Sequence, residues 1–407
     1  EITQALATGN AVVFKVATQV QPVGEAIASL FYDAGLPRDL LQLVHLPGRE
    51  AGQSLLKAGI DKLFFTGSVP VGRQLMASAA EYLTPVSLEL GGNDAMIVLE
   101  ESNLQRAAAG AAWAGLSNCG QSCGGVERIY VVESVYEKFI TRLKEEITTL
   151  RQGDDTVGDF SEPVRYELGS LTTKSQYNSV QDHVQDAVQK GAHISASNDS
   201  GTSSPEFPYT NSEPSTDRSS VHFVSPETTQ EPKGLFHPAI ILESVDHKMK
   251  VMREETFGPL LAVHKVSSAD EAIKKANDSD LGLTGSIWGR NKNMVNSVAA
   301  KLHAGAITIN DHLMSHGMPE TPWGGYKNSA IGRSHGTPGF EEMTQSKVVI
   351  HDSLGNLNRN IWWYPHSDEV LKGLTGALDI LTARSLRKKF SGLRNLVPFY
   401  LKRFFRK

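Results

Sequence analysis

Short apolar runs alternate with amphipathic segments along the first hundred residues. The run "NAVVFK" predicts a strand, and "PVGEAIASLFYDAG" has the apolar spacing of a helix that ends at Gly35. The alternation of strand and helix continues through "LQLVHL", "GREAGQSLLKAG", "KLFFTG", "VGRQLMASAAEY" and "VSLEL". Short strands joined by helices predict βαβ units with a parallel sheet. Because the strands are apolar throughout, we expect both faces of this sheet to be covered.

A second α/β unit is predicted beyond Gly91 and Gly92. Helices are expected at 104–116 and 136–150, on either side of the strand "RIYVVE". The pattern resumes after Gly234 with strands and helices in the order "AIILES", "LLAVHKV", "SADEAIKKAN", "GSIWG", "KNMVNSVAAKLHAG" and "AITIN". The spacing therefore predicts two α/β domains in one chain.

Residues 195–234 differ in composition from both α/β units. They are rich in Ser, Thr, Pro and acidic residues and hold few large apolar side chains. Such a composition cannot bury enough apolar surface to offset the entropy lost on ordering. We therefore predict a flexible surface insertion here.

Residues 384–407 contain nine Lys or Arg and no acid, interleaved with Leu, Phe and Tyr. This pattern is typical of a segment that lies on an anionic membrane surface. It is equally typical of a solvated basic tail that packs in part on another subunit. Pro398 predicts that no single helix runs through the segment. Both interpretations stay open.

The overall composition changes this picture little. Of the 407 residues 40% are hydrophobic and 21% are charged, and a net charge of −5 gives no indication of a nucleic-acid partner. Two cysteines in so long a chain exclude a disulfide framework and fit a reducing compartment, so we expect a cytoplasmic protein. The chain begins at Glu1, in text typical of the middle of a domain, and we expect the natural N-terminus to lie upstream.

Both cysteines lie in one short segment, "SNCGQSCGGVERIYV". A metal site at Cys119 and Cys123 is disfavoured, because no CxxC pair or histidine cluster accompanies them. A disulfide between residues four apart would be strained. A nucleophile and two inert buried thiols remain, and the small residues around Cys123 favour the nucleophile because they leave room for a substrate.

A second candidate residue, Glu89, ends a predicted strand in "SLELGGN". Ligands bind at the carboxyl edge of parallel sheets, and Gly91 and Gly92 allow the chain to turn and another group to approach the backbone. Taken alone, Glu89 is better explained as an edge glutamate without a task.

Together, "ELGG" and "GQSC" resemble the paired signature of the NAD(P)-dependent aldehyde dehydrogenase superfamily, since Cys123 follows Glu89 by 34 residues. Five more segments resemble this family in its own order: "ALATGNAVVFK", "FTGSVPVG", "EETFGP", "PWGGYKNSAIGR" and "GFEEMTQSKVVI". The chain is identified as an N-terminally truncated member. The resemblance implies a Rossmann-like parallel-sheet cofactor domain, incomplete at its N-terminus, and a second α/β catalytic domain.

The resemblance also implies a division of the chain. We expect a partial dinucleotide-binding domain at 1–91 and a catalytic domain at 92–330 that carries the insertion 195–234. A C-terminal segment with an oligomerisation strand is expected at 331–355, followed by a basic amphipathic tail at 356–407. The expected assembly is a homo-oligomer, a dimer or a tetramer.

The activity implied by the resemblance is oxidation of an aldehyde to a carboxylic acid with NAD or NADP. Cys123 would attack the aldehyde to give a thiohemiacetal and then a thioester. Glu89 would act as the general base that activates the hydrolytic water. The positions that match the family's cofactor-binding residues are Lys15, Gly48, Gly67, Ser68, Gly72, Leu90, Glu255 and Phe257. No metal is expected.

Some departures from the family pattern keep alternatives open. Thr18 stands where NAD-preferring members often carry glutamate, so NADP stays as possible as NAD. The family's Trp-Asn motif, which completes the oxyanion hole, is absent from this chain. A weakly active or inactive binding or scaffold protein is therefore one alternative. A CoA-acylating enzyme is another, although Glu89 argues against it.

The remaining thiol and two histidines are given lesser roles. Cys119 matches no required position and is expected to be a small packing residue near the site. His312 and His316 lie four residues apart in "NDHLMSHGM" and are expected to line a loop, at the substrate entrance, rather than to bind zinc.

Overall fold

The computed structural model describes residues 1–154, 166–198, 234–353, 355, 360 and 363–405. The chain divides into two compact units, Glu1–Gln345 and Ser346–Lys407. Most of the predicted insertion at 195–234 lies outside the described residues. Residues 195–197 at its start are described, and they belong to a strand that ends at Ser197. The prediction that the flexible segment begins at residue 195 is therefore wrong.

The helices of the first unit follow the predicted apolar spacing, apart from the short α1 and α10 and the more polar α7, which the sequence did not indicate. They are α1 (Ile2–Ala7), α2 (Gln21–Asp33), α3 (Gly48–Lys57), α4 (Val69–Ala80), α5 (Leu104–Leu116), α6 (Tyr136–Thr148), α7 (Lys174–Gln189), α8 (Ala269–Asn277), α9 (Lys292–Lys301) and α10 (Gly336–Glu341).

The strands likewise coincide with the predicted apolar runs, with β5, β7 and the two-residue strands added. They are β1 (Val12–Lys15), β2 (Leu41–Val44), β3 (Leu63–Thr66), β4 (Val86–Glu89), β5 (Asp94–Val98), β6 (Val126–Val132), β7 (His193–Ser197), β8 (Ile240–Glu243), β9 (Leu260–Val266), β10 (Leu281–Gly282), β11 (Thr284–Trp288), β12 (Ala306–Ile309), β13 (Tyr326–Lys327) and β14 (Ala330–Ile331).

A seven-stranded sheet forms the centre of the first unit, in the order β12-β11-β5-β6-β9-β8-β7. Its strands run parallel except β7, which pairs with β8 in the antiparallel sense. Successive residues of β5 enter different cores, Met96 on one face and Ile97 on the other. The sheet is therefore covered on both faces, as the apolar strands predicted.

The first ninety residues build two smaller sheets. β1 pairs in parallel with β2, and β3 pairs in parallel with β4. Strand β14 arrives from far along the chain and runs antiparallel to β4, with Ala330 opposite Glu89. In the part of the chain that the structure describes, β1 and β3 each pair with a strand on one side only. The predicted parallel sheet is thus divided in two.

Among its described residues the second unit contains two helices, α11 (Asp368–Thr382) and α12 (Leu386–Phe405), which pack against each other. The prediction that Pro398 would interrupt the helix is wrong, because α12 continues through it. Next to the proline, Phe399 is buried against Gly373 of α11, and this packing offsets the hydrogen bond that proline removes. Over the residues that can be described, no helix is long and apolar enough to cross a membrane.

The segment that resembles the family's oligomerisation strand has no regular structure in the single chain. Val348, Val349 and Ile350 are 80%, 66% and 87% exposed. Its pairing with another subunit stays a prediction.

Candidate active site

The chain enters the site through a tight turn after α5. Asn118, Cys119 and Gly120 all have positive φ, at 54°, 57° and 71°. A side chain at Gly120 would lie 2.0 Å from the carbonyl oxygen of Gly258, so the glycine lets two loops touch. The turn is held by reciprocal bonds, since the side-chain amide of Asn118 donates to the Gln121 carbonyl and that of Gln121 donates to the Asn118 carbonyl.

Cys123 follows this turn and is half-buried just before β6. Burial raises the pKa of its thiol to about 11, and the negative charges of Asp94, Glu255 and Glu89 add to the rise. The N–H of Gly124 acts in the opposite direction by stabilising the thiolate. The free protein therefore holds Cys123 mainly as a thiol at neutral pH.

Cys119 is buried in a small apolar cluster with Leu171 and Val180. Burial raises the pKa of its thiol to about 12. The prediction that it is a packing residue is confirmed.

Alkylation of the free protein by iodoacetamide tests this view of Cys123. Because only the thiolate reacts, we expect the rate at Cys123 to rise about tenfold per pH unit between about pH 7 and pH 10. Peptide mass spectrometry measures the rate, and Cys119 in the same digest is an internal control that should stay unmodified. A rate that levels off below about pH 9 would contradict the raised pKa.

Glu89 lies at the end of β4 and is buried. Its Oε1 accepts a hydrogen bond of 3.0 Å from the Ser334 hydroxyl, whereas Oε2 has no partner among the described residues. Burial raises the pKa of this carboxyl to about 7, and the Ser334 bond limits the rise. A carboxyl with a pKa close to neutral is suited to general-base catalysis. The role of Ser334 was missed from the sequence.

Gly91 and Gly92 bring the other site residues to Glu89. A Cβ on Gly91 would lie 2.0 Å from Oε2 of Glu255, and one on Gly92 would lie 2.5 Å from the Cys123 carbonyl oxygen. The Gly92 N–H donates to Oε1 of Glu255 at 3.2 Å. The prediction that these glycines admit another group to the backbone is confirmed.

The loop that carries Glu255 and Phe257 is fixed by a buried carboxyl group, that of Glu127 in β6. Glu127 accepts bonds from the backbone N–H groups of Thr256 at 2.9 and 3.0 Å and of Phe257 at 2.7 Å. The side-chain amide of Gln176 on α7 donates to the carbonyls of the same two residues. Phe257 has a positive φ of 49°, so its placement depends on these contacts. The only sequence signal for Glu127 is an acid inside an apolar strand.

Glu127→Ala would leave the N–H groups of Thr256 and Phe257 unpaired in a buried place. We expect the free energy of unfolding to fall by about 2–5 kcal/mol, as measured by urea denaturation. The exposed Glu133 provides the control, and Glu133→Ala should change stability by no more than about 0.5 kcal/mol. Similar losses in both variants would show that Glu127 does not hold the loop.

A second polar network lies beneath the Cys123 segment. Thr284 donates from its hydroxyl and its N–H to the buried carboxylate of Asp94, at 2.7 and 3.0 Å. Nε2 of His312 lies 3.0 Å from the Gly124 carbonyl oxygen and 3.1 Å from the Thr284 hydroxyl. His312 is 1% exposed, so the expectation that it lines the substrate entrance is wrong. It supports the backbone behind the nucleophile instead.

The remaining predicted residues lie where parallel strands end and helices begin. Lys15 ends β1, and its Nζ is 3.8 Å from where a Cβ of Gly48, the first residue of α3, would be. Gly67 donates its N–H to the Glu89 carbonyl, and Ser68 is the N-cap of α4 although its hydroxyl makes no capping bond. The uncapped start of α4 leaves N–H groups free for an anion.

These residues fit a dinucleotide. A cation at Lys15, the start of α4 at Ser68 and a carboxylate at Glu255 suit a molecule with a pyrophosphate and two riboses. Packing also explains why residue 72 is glycine, because a Cβ there would lie 2.7 Å from a methyl carbon of Leu90. No group of three potential metal ligands occurs among the residues that the structure describes.

Comparison with known proteins agrees with this arrangement. The profile of the aldehyde dehydrogenase family matches residues 1–207 and 219–349. The chain belongs to the aldehyde dehydrogenase family. Among aldehyde dehydrogenase relatives, the 4,4'-diapolycopene aldehyde oxidase of a Methylomonas species is 36% identical over 377 residues, which are 93% of this chain and 63% of the relative.

Similar solved structures confirm the predicted α/β fold class. The NAD-dependent aldehyde dehydrogenase from Sinorhizobium meliloti matches with a TM-score of 0.76 and 29% identity, over 89% of this chain and 65% of that one. An NADP-dependent enzyme of E. coli matches with a TM-score of 0.72 and 30% identity, over 84% and 64%. The chain therefore spans just under two thirds of the length of these relatives.

Proposed function

We propose that this chain carries the catalytic site of an NAD(P)-dependent aldehyde dehydrogenase that oxidises an aldehyde to a carboxylic acid. The observation that supports this most strongly is the meeting of Cys123, Glu89 and Glu255 around Gly91 and Gly92. It would join the nucleophile, a carboxyl with a pKa of about 7 and the Glu255 carboxyl that would bind the cofactor in one place.

In the first step the Cys123 thiol loses its proton to solvent, and the small fraction present as the thiolate forms a bond from Sγ to the aldehyde carbon and yields a thiohemiacetal. The charge that develops on the aldehyde oxygen would be met by the backbone N–H of Cys123. The chemistry that a bound NAD or NADP supplies is acceptance of a hydride. Once its carbon has given up a hydride, the thiohemiacetal on Cys123 would become a thioester.

In the second step Glu89 takes a proton from a water molecule that attacks the thioester. The C–S bond then breaks, which releases the carboxylic acid and returns the Cys123 thiolate. Glu89 can act only when ionised, and its pKa is about 7. Hydrolysis should therefore become faster as the pH rises through about 7.

Lys15 and Glu255 would hold the two riboses of the cofactor, and the start of α4 at Gly67 and Ser68 would hold its phosphates. Phe257 would contact the nicotinamide ring from the loop that Glu127 fixes. Gly48, Gly72 and Leu90 would line the path of the cofactor while they pack the helices that bound it.

We propose that apolar aldehydes are the preferred substrates. The Trp323 ring lies 3.1 Å from where a Cβ of Gly124 would be, so an aromatic ring packs against the residue that follows the nucleophile. The Methylomonas relative is named for the oxidation of diapolycopene aldehyde. A screen of aldehydes with NAD and with NADP, followed by the absorbance of the reduced cofactor, tests both choices. Long aliphatic aldehydes should exceed short carboxylate-bearing ones by at least about tenfold in kcat/KM, and the reverse order would overturn this substrate class.

The same screen separates the alternatives. Formation of an acyl-CoA, and only with CoA present, would identify a CoA-acylating enzyme. Tight binding of NAD or NADP without turnover of any aldehyde would identify a binding protein. One observation favours the binding protein. In the described chain, β1 and β3 of the cofactor-binding part each have one edge that pairs with no strand, so this part lacks the continuous sheet that the sequence predicted.

The proposed partners go beyond the substrate. Exposed Val348, Val349 and Ile350 support a homo-oligomer in which this segment pairs with a second copy. The basic residues of 384–407 support a peripheral contact with a membrane.

A further inference from the structure

We propose that helix α12 lies on an anionic lipid bilayer through one defined face, and that α11 holds this face outward. The inference deepens the peripheral membrane contact proposed above by naming the face and the lipid charge that it requires. The inference rests only on contacts and exposures within the described residues of the second unit.

The inner face of α12 is already occupied. Gly376 and Gly392 bring the two helices into backbone contact, since a Cβ on either would lie 2.5 Å from the carbonyl oxygen of the other. Phe399 fills the space over Gly373 and is 6% exposed. The hairpin therefore has one fixed orientation of α12.

The opposite face of α12 is apolar and exposed. Leu386, Phe390, Leu393, Val397 and Leu401 recur at three- and four-residue spacing, which places them on one side of a helix. Leu386 is 76% exposed and Phe390 is 73% exposed. An apolar stripe of this length on a continuous helix has the form of an interfacial membrane helix.

Charge decides what covers this stripe. Lys388 and Lys402 form ion pairs with Asp379 and Glu369 of α11. Arg387, Lys389 and Arg394 form no ion pair in the described chain, and helical geometry places them at the two borders of the stripe. Because cations border the apolar face on both sides, the complementary surface is apolar within and anionic at its edge.

A second copy of the hairpin fits less well. Two α12 faces packed together would bring their unpaired arginines and lysines against each other, and like charges in contact are unfavourable. An anionic bilayer satisfies both parts of the face. α11 has its own exposed leucines, but three acidic residues lie on that helix, Asp368, Glu369 and Asp379. An anionic bilayer would repel these acids, so α11 is the less suitable face.

Flotation of the full chain with phosphatidylcholine vesicles, with and without phosphatidylserine, tests the proposal. We expect binding to the phosphatidylserine vesicles only, and binding that weakens as salt is added. Replacement of Arg387, Lys389 and Arg394 by Gln should weaken the partition about a hundredfold. The changes Phe390→Gln, Leu393→Gln and Val397→Gln together should weaken it at least about tenfold.

The matched control is Leu371→Gln with Leu378→Gln, which removes exposed leucines from α11 and should leave partition unchanged. Equal losses from the α11 and α12 variants would overturn the assignment to α12. Equal binding to both vesicle types, or no binding, would overturn the proposal. A further result would also overturn the proposal. The full chain would stay off the vesicles, and light scattering would show that substitution of the α12 stripe converts a dimer into a monomer. Cys123→Ala should float like the unaltered chain, so this test stands apart from catalysis.

Discussion

Replacement of Cys123 by alanine is expected to lower kcat/KM for aldehyde oxidation by about 10⁴–10⁶-fold, as measured by formation of the reduced cofactor. No thiohemiacetal can form without the sulfur, and what activity remains would come from binding and from the backbone N–H alone. Because Cys123 is only half-buried, the substitution should leave the fold intact.

Cys119→Ala is the matched control for this experiment. It also removes one thiol from the same short turn, but that thiol packs against Leu171 and Val180. We expect activity within about threefold of the unaltered chain, with a stability loss below about 1.5 kcal/mol. Comparable loss of activity in the two variants would mean that the turn, and not the Cys123 sulfur, is what matters.

The second large effect is expected from Glu89→Gln. Glutamine nearly preserves the shape of the side chain but cannot take a proton from water, so steady-state oxidation should fall by about 10²–10⁴-fold. Formation of the thioester does not need this base. A rapid first turnover, with one equivalent of reduced cofactor for each site, should therefore survive in stopped-flow measurements.

The pH dependence of thioester hydrolysis, followed as release of the acid after the first turnover, provides an independent check on Glu89. The rate of hydrolysis should rise with pH through about 7, because the buried carboxyl must be ionised to act and burial has raised its pKa to that value. Ser334→Ala removes a hydrogen bond that lowers this pKa. The pH profile of that variant should move to higher pH, whereas a merely structural serine would change the rate without moving the profile.

The regular elements of this protein were predictable because they rest on local patterns. Helix 104–116 was predicted with the bounds that the structure has, since its apolar spacing is long and unambiguous. Helix α7 was missed because its sequence "KSQYNSVQDHVQDAVQ" is mostly polar. Strand β7 was missed because "HISAS" is half-polar and lies at a sheet edge. Helix α12 shows that tertiary packing can override a proline.

The site residues likewise differ in whether a local sequence pattern reveals them. Cys123 and Glu89 could be found from short motifs and their spacing. Ser334, which bonds Glu89, lies 245 residues from it, and Glu127 lies 129 residues from the N–H of Thr256 that it holds. Partners so far apart leave no local pattern, because only the folded chain brings them together.

The acyl adduct on Cys123 is the species that tests the proposed chemistry most directly. The Glu89→Gln variant, mixed with cofactor and the aldehyde that is oxidised best, can be quenched in acid and analysed by intact-protein and peptide mass spectrometry. We predict a mass increase equal to the acyl group, located on Cys123 by fragmentation of its peptide and removed by hydroxylamine. An acid product that forms without this adduct, or an adduct located on Cys119, would contradict the account.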